Sequence, residues 1–218
     1  MKNNTIQSKK SFCLLAGYLI LYLLLIIILP HFGILKGGIQ CISYIALGLC
    51  GILLFRKDFL NGFRLWKTHF VRNLIWLIAI FIAGLILENL AAYPAYLLGS
   101  EDIGGNTETI SVLLQSMPLP FIILSLGVLG PITEEMIYRV ILVDRLTRKL
   151  PGIVCIILSS LAFGLIHLNS LSAVGLASIL PTFVSGLLSA IVYYNTKNIT
   201  IPVILHVFNN SLAFALMA

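Results

Sequence analysis

Charge is what this chain has least of. Only 10% of its 218 residues are Asp, Glu, Lys or Arg, against 59% hydrophobic. Soluble domains carry about 25% charged residues, so this composition excludes an ordinary soluble globular domain and points to a polytopic membrane protein. Metal and disulfide signatures are missing too. The four cysteines (Cys13, Cys41, Cys50, Cys155) lie inside apolar runs with no C-x-x-C pair, which excludes a disulfide framework and leaves the reading of buried small hydrophobes. H-E-x-x-H is absent, so no ready-made zinc protease helix is present. No module interleaves aromatic and basic residues in a soluble context, so the excess of 14 Lys and Arg over 8 Asp and Glu does not indicate nucleic acid. In a membrane protein such an excess collects in cytoplasmic loops. No internal repeat and no linker are visible, and the chain reads as one integral membrane domain.

What is present is a series of apolar runs near the ~20 residues a bilayer crossing needs. They fall at roughly 12–29, 38–55, 73–98, 110–130, 152–168, 173–194 and 200–217, with a shorter piece at 133–146. Ahead of the basic Arg145, Arg148 and Lys149, either 110–130 crosses alone with the motif helix at the inner edge, or a kinked helix from about Pro120 through Pro131 crosses. The expectation is an all-α bundle of seven or eight transmembrane helices. Residues 1–110 form N-terminal helices with a basic loop, and residues 111–218 form the part that carries chemistry. The first run follows Lys2, Lys9 and Lys10 but ends at Pro30 without an A-x-A cleavage pattern, so it reads as a retained helix and not as a signal peptide.

Arg56, Lys57, Arg64, Lys67 and Arg72 share one loop, while the loop with Glu101, Asp102 and Glu108 has no Lys or Arg. The positive-inside rule places the first loop and the N-terminus in the cytoplasm, with the protein in the plasma membrane. Within the basic loop, Phe59, Phe63, Trp66 and Phe70 recur at 3–4 spacing, the pattern of an amphipathic helix lying in the interface.

Ionisable residues within apolar runs mark functional sites, because each costs ~2.5–3.5 kcal/mol or more at bilayer depth. Thr133-Glu134-Glu135-Met136-Ile137-Tyr138-Arg139 is the densest such cluster. Pro131 and Thr133 resemble a helix start. On a helix Glu135 and Arg139 pair at i,i+4, while Glu134 points about 100° away and stays free to act as a base. His167 ends the fifth run. His206 and Asn210 stand at i,i+4 on one face of the last. Glu88 and Asn89, within a third long run, form a minor alternative site. Ser185-Gly186-x-x-Ser189 reads as a small-residue packing patch.

Glu134-Glu135-x-x-x-Arg139, Phe163-x-x-x-His167 and His206-x-x-x-Asn210, in that order, resemble the CPBP family. These are the CAAX-type prenyl endopeptidases and bacteriocin-processing or bacteriocin-immunity proteins, also called the Abi family. Phe183-x-x-Gly186 with the Thr200-to-Pro202 region is similar to the family's weaker intermediate motif. The likeness covers about residues 120–215, with Tyr138 where many members have Phe and Val140 where Gly often follows. It implies an all-helical intramembrane peptidase in which Glu134 is the base and His167 orients its water. His206 and Asn210 would stabilise the oxyanion, and Glu135 and Arg139 would support the site.

The implied partners are membrane lipid and a peptide or protein substrate, either prenylated or a bacteriocin precursor, cut near the inner leaflet. No cofactor is expected. The alternative is zinc held by Glu134, His167 and His206 as a two-His, one-carboxylate site. Two other functions compete: a non-catalytic bacteriocin-immunity protein, and a small transporter using Glu88, Glu134 and the histidines as a proton relay. Against transport, no paired interrupted helices occur in matching halves.

Overall fold

The structure is a computed structural model that describes residues 13–34, 36–100 and 107–218. All regular structure among the described residues is helical: α1 Cys13–His31, α2 Gly38–Leu54, α3 Arg56–Thr68, α4 Phe70–Leu97, α5 Thr107–Ser116, α6 Leu119–Arg145, α7 Gly152–Leu165, α8 Ala173–Thr196 and α9 Thr200–Met217. This is an all-α polytopic membrane protein. Five helices (α1, α4, α6, α8, α9) are long and apolar enough to cross a bilayer, and α2 with α3, bent by 69° between them, makes a sixth. The sequence reading of seven or eight counted α7 as well, but its 14 residues fall short of the ~17 a full crossing needs.

The apolar surface points outward. Leu, Ile and Phe side chains along α1, α4, α7 and α9 are exposed on the rim of the bundle, where lipid takes the place of water. Cys13 and Cys50 are exposed there as well, which corrects the expectation that all four cysteines are buried; Cys41 and Cys155 are buried, and all four are free. A lipid-facing thiol has no polar neighbour to avoid, so apolar sequence context did not distinguish rim from core.

The largest core cluster joins both halves of the chain. Tyr18, Tyr22 and Ile26 of α1, Tyr44 and Leu47 of α2, Met136 to Val143 of α6, Phe163 of α7, and Ile199 and Val203 at the start of α9 pack together. Small residues let the helices approach. A Cβ on Gly48 would lie 2.7 Å from the Leu129 Cβ, and one on Gly186 would lie 3.0 Å from the Phe163 ring. The second contact is the packing role read for the Ser185-Gly186 patch.

Two sequence boundaries are corrected. The run expected at 110–130 and the piece at 133–146 are replaced by α5, a break at Pro118 (φ −61°, ψ 133°), and one continuous α6. Pro131 and Thr133 therefore do not start a helix. Thr133 Oγ1 donates to the Leu129 carbonyl (2.8 Å) inside it. Pro131 fits because the preceding Ile123–Leu129 stretch is wound wide, and the Gly130 N–H reaches back to the Ser125 carbonyl. Pro131 has no N–H for the carbonyls one turn behind it. Two carbonyls there are met from α9, Leu126 by Asn210 Nδ2 (3.4 Å) and Gly127 by Ser211 Oγ (3.3 Å).

The basic loop forms the amphipathic α3, whose Trp66 Nε1 donates to Thr200 Oγ1 (2.8 Å). Phe70 is not on it: His69 (φ −135°, ψ 43°) ends α3 and Phe70 opens α4. Lys2, Lys9, Lys10, Glu101 and Asp102, used in the charge argument, lie outside the described residues.

Candidate active site

The α6 turn from Glu134 to Arg139 separates its carboxylates as helix geometry requires. Glu135 Oε2 lies 2.8 Å from Arg139 Nε, and Glu135 Oε1 accepts from Nη2 at 3.2 Å. Both residues have no exposed surface. The third guanidinium nitrogen donates to Ser159 Oγ of α7 (3.1 Å), whose own hydroxyl donates to the Tyr138 carbonyl (2.7 Å). The guanidinium also lies 5.3 Å from the centroid of the Phe163 ring, a cation–π distance. Each of the three nitrogens of this buried arginine thus has a partner, as burial in an apolar interior requires.

Glu135 has a second task. His206 Nδ1 of α9 is 3.1 Å from its Oε1. An ionised carboxylate only accepts, so Nδ1 carries the proton. The opposite ring nitrogen, Nε2, faces Glu134 Oε2 at 3.7 Å, too far for a direct hydrogen bond. The other Glu134 oxygen accepts from the Tyr44 hydroxyl of α2 at 2.9 Å. Glu134 is 7% exposed, so it opens onto an interior space and not onto lipid.

His167 lies just beyond α7. Its Nδ1 is 3.0 Å from the Phe163 carbonyl, which can only accept, so Nδ1 donates and Nε2 is left as an acceptor. The Phe163 ring is the hub of the site, with its centroid 5.4 Å from the His167 ring and 5.6 Å from the His206 ring.

Glu134, His167, His206 and Asn210 line one cavity of about 510 Å³. Sequence reasoning singled out all four, and the fold brings them together. Asn210 lines the cavity while its amide leans on the Leu126 carbonyl. Glu135 reaches only an adjoining cavity of about 290 Å³, and Arg139 borders neither. Glu88 is not a separate site: it lines both cavities, as do Ser185 and His206. Tyr44 was missed. Its signal was a phenol within an apolar run, since a buried Tyr hydroxyl needs a partner, but nothing local identified that partner.

Among the described residues, no three His, Cys, Asp or Glu side chains are grouped so as to hold a metal ion. Glu134, His167 and His206 line one cavity without forming such a group.

Residues 116–212 match the family model described as type II CAAX prenyl endopeptidase Rce1-like. The chain is 29% identical over 180 residues to the putative membrane peptidase YdiL of Bacillus subtilis (strain 168), spanning 81% of this chain and 70% of that protein. It is 25% identical over 119 residues to the membrane-embedded CAAX protease MroQ of Staphylococcus aureus (strain USA300), spanning 51% of this chain and 44% of that one. No solved structure matches. The resemblance to membrane CAAX peptidases noted from three short motifs is carried by these matches as well.

Proposed function

From that resemblance and this geometry, we propose that the chain is an intramembrane endopeptidase that hydrolyses a peptide bond with a glutamate-activated water. The observation that carries the reading is the setting of Glu134. It is a buried carboxylate held at one oxygen by Tyr44, faced at the other by His206, and it shares a cavity with His167.

A water between Glu134 and His167 Nε2 gives one proton to Glu134 while its oxygen attacks the substrate carbonyl. His167, oriented by the Phe163 carbonyl, fixes the water through its free acceptor nitrogen. The developing oxyanion accepts from His206 Nε2. To donate there while Nδ1–H faces Glu135, the ring carries a proton on each nitrogen. Asn210, with a second amide N–H, completes the donor set. Collapse of the tetrahedral intermediate breaks the C–N bond, and protonated Glu134 returns its proton to the leaving amine. A positioned base contributes roughly 10²–10⁴-fold, and each oxyanion donor ~2.7–4 kcal/mol. Glu135 and Arg139 act through His206 and do not touch substrate. The substrate classes that follow from the family are a prenylated peptide and a bacteriocin precursor, the latter in maturation or self-immunity.

Mass spectrometry of membrane peptides from cells carrying wild type and Glu134→Ala tests the reading. A peptide end present only with wild type is expected, and its sequence identifies the substrate class. His167→Ala and His206→Ala lose the same product while the protein still accumulates in the membrane. A phenotype that survives all three substitutions overturns catalysis and leaves the immunity-protein reading standing.

A further inference from the structure

The two ends of the bundle differ in charge and in packing. At one end the α3 helix docks on the α8–α9 turn: Trp66 bonds Thr200, and Gly62 is so close to Asn198 that an added Cβ would lie 2.7 Å from its Oδ1. The C-terminal end of α6 joins them through Asp144 and Lys197 (3.4 Å). This end carries Arg56, Lys57, Arg64, Lys67 and Arg72 around α3, Arg145, Arg148 and Lys149 at and just after the end of α6, and Lys197.

At the other end, Gly37 and Gly38 at the start of α2 pack near Met117, Ser100 Oγ lies 3.2 Å from Ser178 Oγ, and Leu113 and Ile122 pack on Phe214 of α9. Among the described residues that end carries one Lys or Arg, Lys36. By the positive-inside rule the first end is cytoplasmic.

The catalytic cavity reaches towards the poorly charged end. Its lining in that direction includes Gln40 at the start of α2, Ile110 and Leu113 of α5, and Met217 at the end of α9, with Thr182 deeper, in the first half of α8. Towards the basic end the site is closed. Tyr22, Met136, Arg139, Val140 and Val143 have no exposed surface, and Ile199 has 1%. The space beside Glu134 is therefore open towards the poorly charged end and filled towards the basic end, while the adjoining cavity is lined by the exposed Leu85 of α4 and Leu212 and Leu216 of α9.

We infer that the cavity is loaded from the non-cytoplasmic face of the membrane, so that its substrate is a peptide segment on the outer side, exported or emerging during export. This replaces the cleavage near the inner leaflet expected from sequence. It rests on the proposed hydrolytic function for the word substrate, while the direction of the opening is geometric.

The test is cysteine accessibility in the full chain, with the four native cysteines replaced by Ala. In intact cells a membrane-impermeant maleimide is expected to label Gln40→Cys and Thr182→Cys, and to label Arg148→Cys only after lysis. Labelling of Arg148→Cys alone in intact cells overturns the inference, as does failure of both cavity positions to label before denaturation. Should the cysteine-free chain not accumulate, the same positions are introduced singly with Cys13 and Cys50 retained, and the adducts are located by mass spectrometry. These readouts need no proteolysis. A correct labelling pattern without any Glu134-dependent product would sink the peptidase reading and leave the outward opening intact.

Discussion

Tyr44 holds Glu134 from a helix outside the residues that match the peptidase family model. A hydrogen bond to a charged group is worth ~1.5–3 kcal/mol, so Tyr44→Phe is expected to lower kcat by roughly 10- to 100-fold with KM little changed. The discriminating measurement is a double-mutant cycle with Glu134→Asp: if Tyr44 acts through Glu134 the two losses are strongly non-additive. Arg139 acts differently. It neutralises Glu135 with no exposed surface, and breaking such a pair leaves an uncompensated charge that costs ~3–5 kcal/mol. Arg139→Met should therefore lower the thermal midpoint of the detergent-solubilised protein sharply. The Glu135→Gln, Arg139→Met pair should recover stability without recovering activity, because His206 would then lack its carboxylate.

At the scale of elements, α6 is the frame on which the site is hung. Its wide turns before Pro131 and its two carbonyls bonded from α9 fix where Asn210 and His206 stand relative to Glu134. The α2 contact fixes the opposite wall. Gly48 lies one turn beyond Tyr44 and sits against Leu129, where an added Cβ would meet the Leu129 carbonyl oxygen at 2.9 Å. Overpacking of this kind costs ~1–3 kcal/mol. Gly48→Ala is expected to lower the thermal midpoint and also to reduce kcat by moving Tyr44, whereas Gly17→Ala, on α1 with nothing within 4 Å of its Cβ, leaves kcat unchanged. Equal loss of activity in both variants would refute the positioning role of α2.

Across the whole molecule, the motif-bearing half does not enclose its own core. Tyr18, Tyr22 and Ile26 from α1 pack in the same cluster as Met136, Tyr138 and Val143 from α6, and the Tyr22 and Tyr138 hydroxyls lie 3.3 Å apart. Expressed alone, residues 111–218 should fail to accumulate as a monodisperse species in detergent, and supplying residues 1–110 as a separate chain should restore it. Recovery of the short piece alone, folded and active, would contradict this account of the core. The same interlocking blocks the basic end of the site and leaves the other end open, which is why sidedness of access is a property of the assembled bundle.

The all-helical membrane class was legible because composition and run length report directly on the solvent a chain is built for. The pairing of Glu135 with Arg139, and of His206 with Asn210 on one face, was legible because helix periodicity sets i,i+4 neighbours within one segment. Contacts between segments leave no such trace. That Tyr44 meets Glu134, that Glu88 borders the same cavity as the histidines, and that Pro131 sits mid-helix with α9 supplying partners for the carbonyls behind it were decided by tertiary packing. Each of these depends on which faces of distant helices meet, and periodicity within one helix is silent on its neighbour.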